Sequence, residues 1–372
     1  MKKTKILFFT PLAGRTGSEM MIAYIINHFD RSQFQASLVS FSDGELLKEL
    51  PSDVNSYFVN KKFSLKDRII FRFFKNPFYS AIKKIQAIEK ADIWYFNTIT
   101  MPEVYYLAKQ LGVKIVTHFH ELPQSFMILG KDEFKMIVED SNLLIGCAKV
   151  VCQSIKDAGG KNIRLLYETI DTSKVISNSD RCTILKKQLG IHDGDTIWVM
   201  SGTTDARKGF DFLPKIAKKL DNPNHHLIWL GKSIDNGLSY FVEQKCKNPN
   251  FSTKIHLLGS QKEDYYNYLS LANAFLLLSR EDPFPLVMLE AAFLGKPIFS
   301  FQSGGVSEFI KEGMGKIAQN FNCDEMVDNM LAWKNGEIFT DVNISKNRAK
   351  EFDILIQAEK WKELMSDFKI NS

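Results

Sequence analysis

No stretch of this 372-residue chain approaches the ~18 consecutive apolar residues that a membrane-spanning helix needs, so no helical membrane span is expected. Cysteine is scarce and scattered. The five residues Cys147, Cys152, Cys182, Cys246 and Cys323 are odd in number and lack metal-ligand spacing. That excludes a disulfide framework and a zinc motif, and fits a reducing compartment. Three nucleotide-handling signatures are also missing. There is no Gly-x4-Gly-Lys-[Ser/Thr] phosphate loop. The first glycine-rich turn has only Gly14-x-x-Gly17, short of the Gly-x-Gly-x-x-Gly of a dinucleotide fingerprint. No Asp-x-Asp pair sits at a strand end to hold a divalent metal. The opening Met1-Lys-Lys-Thr-Lys has the basic start of a secretory leader, but its apolar run stops at Pro11, too short for a leader core. The cytoplasm is the expected location.

What remains is the composition of an ordinary globular protein, 45% hydrophobic and 24% charged, long enough for roughly two to three domains. The net charge of +5 is uneven. Between Lys61 and Lys84 eight basic residues face the single acid Asp67, so the rest of the chain is slightly acidic. Aromatic residues interleave these cations, which suits either contact with an anionic membrane surface or an ordinary core. No recognition motif for nucleic acid accompanies them, and no nucleic-acid partner is expected.

Short apolar runs alternate with amphipathic ones along nearly the whole chain. Strands are expected at Lys5–Thr10, Gln35–Phe41, Ser56–Asn60, Ile93–Thr98, Lys114–His118 and Leu143–Cys147. Further strands are expected at Thr196–Ser201, His226–Leu230, Lys254–Leu258, Ala274–Leu278 and Pro297–Phe301. Helical patterns lie between them, and a last helix is expected over Asn347–Phe368. Such alternation predicts parallel sheets covered by helices on both faces. A polar pause over Thr172–Arg181 divides the pattern, favouring two doubly wound domains over a single barrel. The expected division is 1–175, 176–350 and a C-terminal helix at 351–372 that packs back towards the first domain.

In such folds ligands bind beyond the carboxyl ends of the strands, and the distinctive residues fall there. After Ala274–Leu278 comes Ser279-Arg-Glu-Asp-Pro-Phe-Pro-Leu-Val-Met-Leu-Glu290. Two prolines stiffen the turn, and Phe284, Pro285 and Leu286 open a helix whose backbone N–H groups, proline supplying none, face a ligand. Asp282 and Glu290 can accept hydrogen bonds from vicinal hydroxyls; helix capping is the alternative, and Glu281 is an equally placed acid. After Thr196–Ser201 comes Gly202-Thr-Thr-Asp-Ala-Arg207-Lys208-Gly209, whose cations suit a diphosphate. Ser303-Gly304-Gly305-Val-Ser-Glu308 allows close backbone approach. His118-Phe-His120-Glu121 follows an N-terminal strand, without a third metal ligand at familiar spacing.

Asp282-x7-Glu290 inside Asp-Pro-Phe-Pro-Leu-Val-Met-Leu-Glu-Ala resembles the Glu-x7-Glu signature of the family 4, or group 1, glycosyltransferases, with Asp at the first acid. Lys208-Gly209 is similar to the family's Lys-Gly, whereas Thr203 stands at the usual early Arg, leaving Arg207 as its substitute. The resemblance implies a GT-B fold: two facing doubly wound Rossmann-like α/β domains with a cleft between them. It implies a retaining transferase that uses a nucleoside diphosphate sugar and acts on a saccharide or lipid-linked saccharide in surface polysaccharide assembly. Asp282 would contact the sugar and Glu290 the ribose. Lys208, Arg207, Gly304, Gly305 and Glu308 would serve the diphosphate side. Gly17, among the donor-binding residues, would line the cleft and help position the sugar and acceptor, and His120 would hydrogen-bond the transferred sugar. No cofactor and no metal would be required, and the protein would sit peripherally on the inner face of the membrane. A non-catalytic binding subunit and a nucleotide-sugar epimerase are the competing functions.

Overall fold

The computed structural model describes residues 2–14, 17–60, 77–127 and 129–370. Most of the basic segment, residues 61–76, and Arg15 of the first glycine turn lie outside them. The chain divides into two compact units, Met1–Thr169 with Ile354–Ser372, and Ile170–Asp353.

Among the described residues the first unit holds seven parallel strands: β1 (Thr4–Thr10), β2 (Phe34–Ser40), β3 (Asn55–Phe58), β4 (Ile93–Phe96), β5 (Lys114–Phe119), β6 (Leu143–Gly146) and β7 (Ile163–Leu165). Their order is β3-β2-β1-β4-β5-β6-β7. The central strands are apolar without alternation; all four residues of β4, Ile-Trp-Tyr-Phe, are buried. That is the pattern of a sheet covered on both faces. The helix Ile354–Ile370 closes one face. Its Trp361 is 1% exposed and meets Phe34 edge-on at 5.3 Å, with Phe8, Phe29 and Tyr95 each 6.4 Å away.

The second unit holds six parallel strands: β8 (Thr196–Ser201), β9 (His225–Leu230), β10 (Lys254–Leu257), β11 (Ala274–Leu277), β12 (Ile298–Phe301) and β13 (Gly315–Ala318), in the order β10-β9-β8-β11-β12-β13. The strand order reverses between β8 and β11, as it does between β1 and β4 in the first unit. Each reversal opens a crevice at the carboxyl edge of its sheet.

Three features differ from the sequence reading. Strands β7 and β13 carry no clear signal, because each is a short, partly exposed edge strand of three or four residues. The helix expected over 347–368 is two helices, Val342–Lys350 and Ile354–Ile370. The break has a cause: Phe352 packs on Phe284 and Phe309 at 5.2 and 5.3 Å, and Asp353 accepts hydrogen bonds from Thr172 N and Oγ1 at 3.2 and 2.6 Å. Third, the polar pause holds a 3-10 turn, Thr172–Lys174, and then a helix from Ser179 whose start Asn178 caps through Arg181 N at 2.9 Å. Among the described residues no helix is long and apolar enough to cross a membrane.

The amino edge of the second sheet gathers histidines. His226 Nε2 lies 3.1 Å from Asp195 Oδ2, and its Nδ1 lies 3.0 Å from His256 Nε2. Beside them Trp198 Nε1 donates to His225 Nδ1 at 3.3 Å. Burial holds His225 and His256 down at about 4 and also lowers His226. Such groups resist protonation when folded but not when unfolded, so the stability they contribute is complete above pH ~6.5 and is lost as pH falls towards 4.

Two outcomes follow from this architecture. The urea midpoint should fall between pH 7 and pH 4.5, and His256→Gln should flatten that slope in the same titration. Trp361→Ala should cost about 3–5 kcal/mol in denaturant unfolding, the range for truncating a buried aromatic.

Candidate active site

The loops on either side of the β8/β11 crevice are joined directly. Lys208 Nζ, on the loop after β8, donates to Asp282 Oδ2, on the loop after β11, at 2.5 Å. Both side chains are largely enclosed, 17% and 9% exposed. Ser279 Oγ approaches the same carboxylate oxygen at 3.4 Å. The backbone brings the loops this close at Gly209. Its φ is +74°, and a Cβ there would lie 2.0 Å from the Leu278 carbonyl oxygen. Only glycine supplies both the left-handed turn and the clearance. The Lys208 N–H donates to Asp205 Oδ1 at 2.9 Å, and Thr203 Oγ1 donates to the other oxygen of that carboxylate at 2.5 Å. Thr203 therefore braces the loop that carries the lysine.

Arg207 is exposed and donates through Nη1 to the Glu281 carbonyl at 3.2 Å. A second arginine, Arg280, is bound to Asp211 by two hydrogen bonds of 2.6 and 2.8 Å and lies 4.0 Å over the Phe212 ring. Arg280 thus fastens the β11 loop to the turn after Gly209. The segment after Gly209 opens as a 3-10 turn, Phe210–Phe212, before the α-helix Leu213–Leu220 begins.

Pro285, with ψ of 123°, precedes the helix Leu286–Phe293 rather than starting its first turn. Leu286 and Val287 therefore supply the first N–H groups of that helix, which have no partner within it. The Phe284 side chain is 3% exposed and packs against Phe309 and Phe352 at 6.2 and 5.2 Å. Its ring is core, and only its backbone is placed to meet a ligand. The glycine turn after β12 is tied in by the Gly305 N–H, which donates to the Pro283 carbonyl at 2.8 Å, while Gly304 has φ +48°. Glu308 is half-buried, and its carbonyl accepts from Arg348 Nη2 at 2.8 Å.

Glu290, one turn into its helix, is held by two phenols that the sequence reading did not single out. Tyr265 donates to Oε2 and Tyr266 to Oε1, each at 3.0 Å. Tyr265 also reaches Ser201 Oγ, at the end of β8, at 3.3 Å. Burial raises the Glu290 pKa and the two hydroxyls oppose that shift. Glu281 is buried beside Asp282. The second unit therefore gathers Lys208, Asp282, the Leu286 helix start and the Gly304–Gly305 turn around one crevice, with Glu290 on the adjoining helix.

The first unit carries its own cluster at the carboxyl edge. His120 Nδ1 lies 2.5 Å from Glu168 Oε1, and Nε2 lies 3.2 Å from Asn97 Oδ1. Asn97 Nδ2 donates to the Ser18 carbonyl at 2.6 Å, within the helix that begins at Gly17. The His120 N–H donates to Glu121 Oε2 at 2.8 Å. Burial drives His120 down to about 3 and pushes Glu121 up to about 7. Cys147 joins His120 and Glu168, with ligand-type atoms within 4.8 Å of one another. The ligand atoms of a tetrahedral zinc site stand roughly 3.3 Å or more apart, given bonds of about 2.0–2.3 Å. The 2.5 Å His–Glu contact is thus a hydrogen bond and not a pair of metal ligands.

With the fold and these clusters described, the similarities to known proteins have a structural place. Residues 183–351, inside the second unit, match the family described as Glycosyl transferases group 1. An N-acetyl-alpha-D-glucosaminyl L-malate synthase from Bacillus anthracis is 27% identical over 219 residues, 56% of this chain and 55% of that protein. The chain thus spans about half the length of that relative. An uncharacterized glycosyltransferase from Haemophilus influenzae is 24% identical over 375 residues, 97% of this chain and 99% of the relative. HepE from Anabaena, solved in complex with UDP and glucose, superposes with a TM-score of 0.82 at 18% identity, over 98% of this chain and 100% of that one. The two α/β units have the GT-B fold, and the stretch similar to the group 1 glycosyl transferases lies within the second.

Gly209→Ala should lower stability by at least about 1–3 kcal/mol, because the loop must move off the Leu278 carbonyl or strain. Thermal unfolding measures this. Restoring wild-type stability with any other residue at 209 would contradict the close approach.

Proposed function

We propose that the chain is a retaining glycosyltransferase that moves a sugar from a nucleoside diphosphate donor to an acceptor hydroxyl. The observation that carries the reading is the Lys208–Asp282 pair across the β8/β11 crevice, beside a helix start and a tyrosine-held Glu290. Lys208 and the N–H groups of Leu286 and Val287 are suited to the negative charge that develops on a departing diphosphate. The glycine turn at Gly304–Gly305, with Glu308 just after it in the sequence, and Arg207, the neighbour of Lys208, are assigned to the same phosphate side. Asp282 accepts from hydroxyls of the donor sugar and Glu290 from those of the ribose. On the first unit, Gly17 and His120 are assigned to the acceptor and the transferred sugar.

In the reaction the anomeric C–O bond to the diphosphate breaks and a new C–O bond to the acceptor oxygen forms. The acceptor's proton leaves with the nucleoside diphosphate. Because a fixed ammonium and helix N–H groups can carry the leaving-group charge, the proposed reaction requires no metal and no cofactor. Turnover unchanged by EDTA supports this, and turnover restored only by a divalent cation contradicts it.

UDP is the first donor nucleotide to test, since the similar HepE structures hold UDP with glucose, and UDP-glucose. We assign the acceptor to surface polysaccharide or glycolipid assembly, and the basic segment Lys61–Lys84 to peripheral contact with an anionic membrane.

Purified protein incubated with a panel of nucleoside diphosphate sugars should release nucleoside diphosphate from at least one. Lys208→Ala and Glu290→Ala should each lower that turnover by roughly 100-fold or more. Near-normal turnover in both variants would overturn the site, and conversion of the donor to an epimer without acceptor would favour the epimerase reading. Binding without turnover on any acceptor would favour a non-catalytic subunit.

A further inference from the structure

The hydrogen-bond pattern around His120 determines where its ring protons lie. Asn97 Nδ2 donates to the Ser18 carbonyl at 2.6 Å, so the amide turns its oxygen towards the imidazole. That oxygen, Oδ1, lies 3.2 Å from His120 Nε2 and can only accept, so Nε2 carries a hydrogen. At the other side of the ring Nδ1 is 2.5 Å from Glu168 Oε1, with both side chains about 95% enclosed. A contact of that length between a ring nitrogen and a carboxyl oxygen holds one proton between them.

We propose that Glu168 is the positioning residue of His120: it fixes the plane of the ring and, with Asn97, its Nε2–H form. Burial, which keeps an isolated imidazolium from forming here, is consistent with a pair that is neutral as a whole. The carboxyl comes from the segment after β7, Asn97 from the end of β4 and His120 from the end of β5, so three strand ends set one ring. Glu168 is 48 residues from His120 and carries no motif, which is why the sequence reading passed over it.

The other titratable groups that face the ring are few among the described residues. His118 lies against it, tilted by 43° with centroids 4.1 Å apart, and Tyr95 OH lies 2.9 Å from His118 Nδ1. Glu121 accepts the His120 backbone N–H, and Cys147 Sγ completes the neighbourhood. Burial lowers His118 and raises Tyr95 and Glu121.

The consequence for transfer rests on the proposed function, but the ring geometry does not, and the two are read separately. Nitrogen-15 NMR of histidine-labelled full-length protein, with His120→Gln to assign the signals, reports which ring nitrogen is protonated. The wild-type His120 ring should show protonated Nε2 and hydrogen-bonded Nδ1, unchanged from pH 5.5 to 8.5. Glu168→Gln, which can still donate an amide N–H to Nδ1, should keep the Nε2–H form. Glu168→Leu leaves Asn97 to hold Nε2–H but removes the Nδ1 partner, so the Nδ1 signal should move to that of an unbonded, unprotonated ring nitrogen. A His120 ring in Glu168→Leu identical to wild type overturns this inference, whatever the activity.

The second readout uses whichever nucleoside diphosphate sugar of the panel the wild type turns over. Glu168→Leu should lower kcat by about tenfold or more with KM little changed, and Glu168→Gln should recover most of it. Altered nitrogen shifts with undiminished kcat would leave the ring assignment standing and remove His120 from the transfer reaction. Matched near-UV circular dichroism of the two variants shows that they are folded.

Discussion

The ion pair between Lys208 and Asp282 is the constraint on which the second unit's site depends. It spans the point where the strand order reverses, and it joins loops that leave adjacent parallel strands. A largely enclosed ammonium needs an opposite charge, and a largely enclosed carboxylate needs a donor. Each is therefore fixed by the other. The approach is only possible because Gly209 has no Cβ to press on the Leu278 carbonyl, and Arg280 holds the same two loops from the other side through Asp211. A cation and an acid are thereby set at one helix start, with the tyrosine-held Glu290 one turn further on. Charge, carboxylate acceptors and backbone donors thus converge at one crevice, which is why the donor diphosphate sugar is proposed there.

The first unit applies the same construction to a different end. Its crevice at β1/β4 is bridged by a neutral side chain, Asn97, which reaches from the end of β4 to the Ser18 carbonyl. The ring of His120 is then seated between Asn97 and Glu168. One unit is organised around fixed charge and the other around fixed hydrogen-bond direction. This contrast fits the roles proposed for them, the charged donor on one and the acceptor and transferred sugar on the other.

Much of the fold was legible because parallel strands buried on both faces leave unbroken apolar runs, as in Ile-Trp-Tyr-Phe of β4 or Ala-Phe-Leu-Leu of β11. Edge strands β7 and β13 leave no such run, since a short half-exposed strand has no distinctive composition. The helix break at 351–353 was equally invisible, because Phe352 and Asp353 are committed to partners about 70 and 180 residues away in sequence. The same distinction governs the site. Asp282, Glu290, Lys208 and the glycine turns announce themselves as local patterns after strands. Tyr265 and Tyr266 for Glu290, Arg280 for Asp211, and Glu168 for His120 are pairings made by tertiary proximity alone. Phe284 combines the two, a motif residue whose ring belongs to the core while its backbone stays at the turn the motif marks.

Calorimetric titration with a panel of nucleoside diphosphates tests most directly the proposed seat of the donor nucleotide. At least one should bind the wild-type protein. Lys208→Met and Glu290→Gln should each weaken that binding at least tenfold, about 1.4 kcal/mol, while His120→Gln leaves it unchanged. Binding that survives both substitutions in the second unit, or that is lost with His120, would contradict the assignment of the donor nucleotide to the β8/β11 crevice.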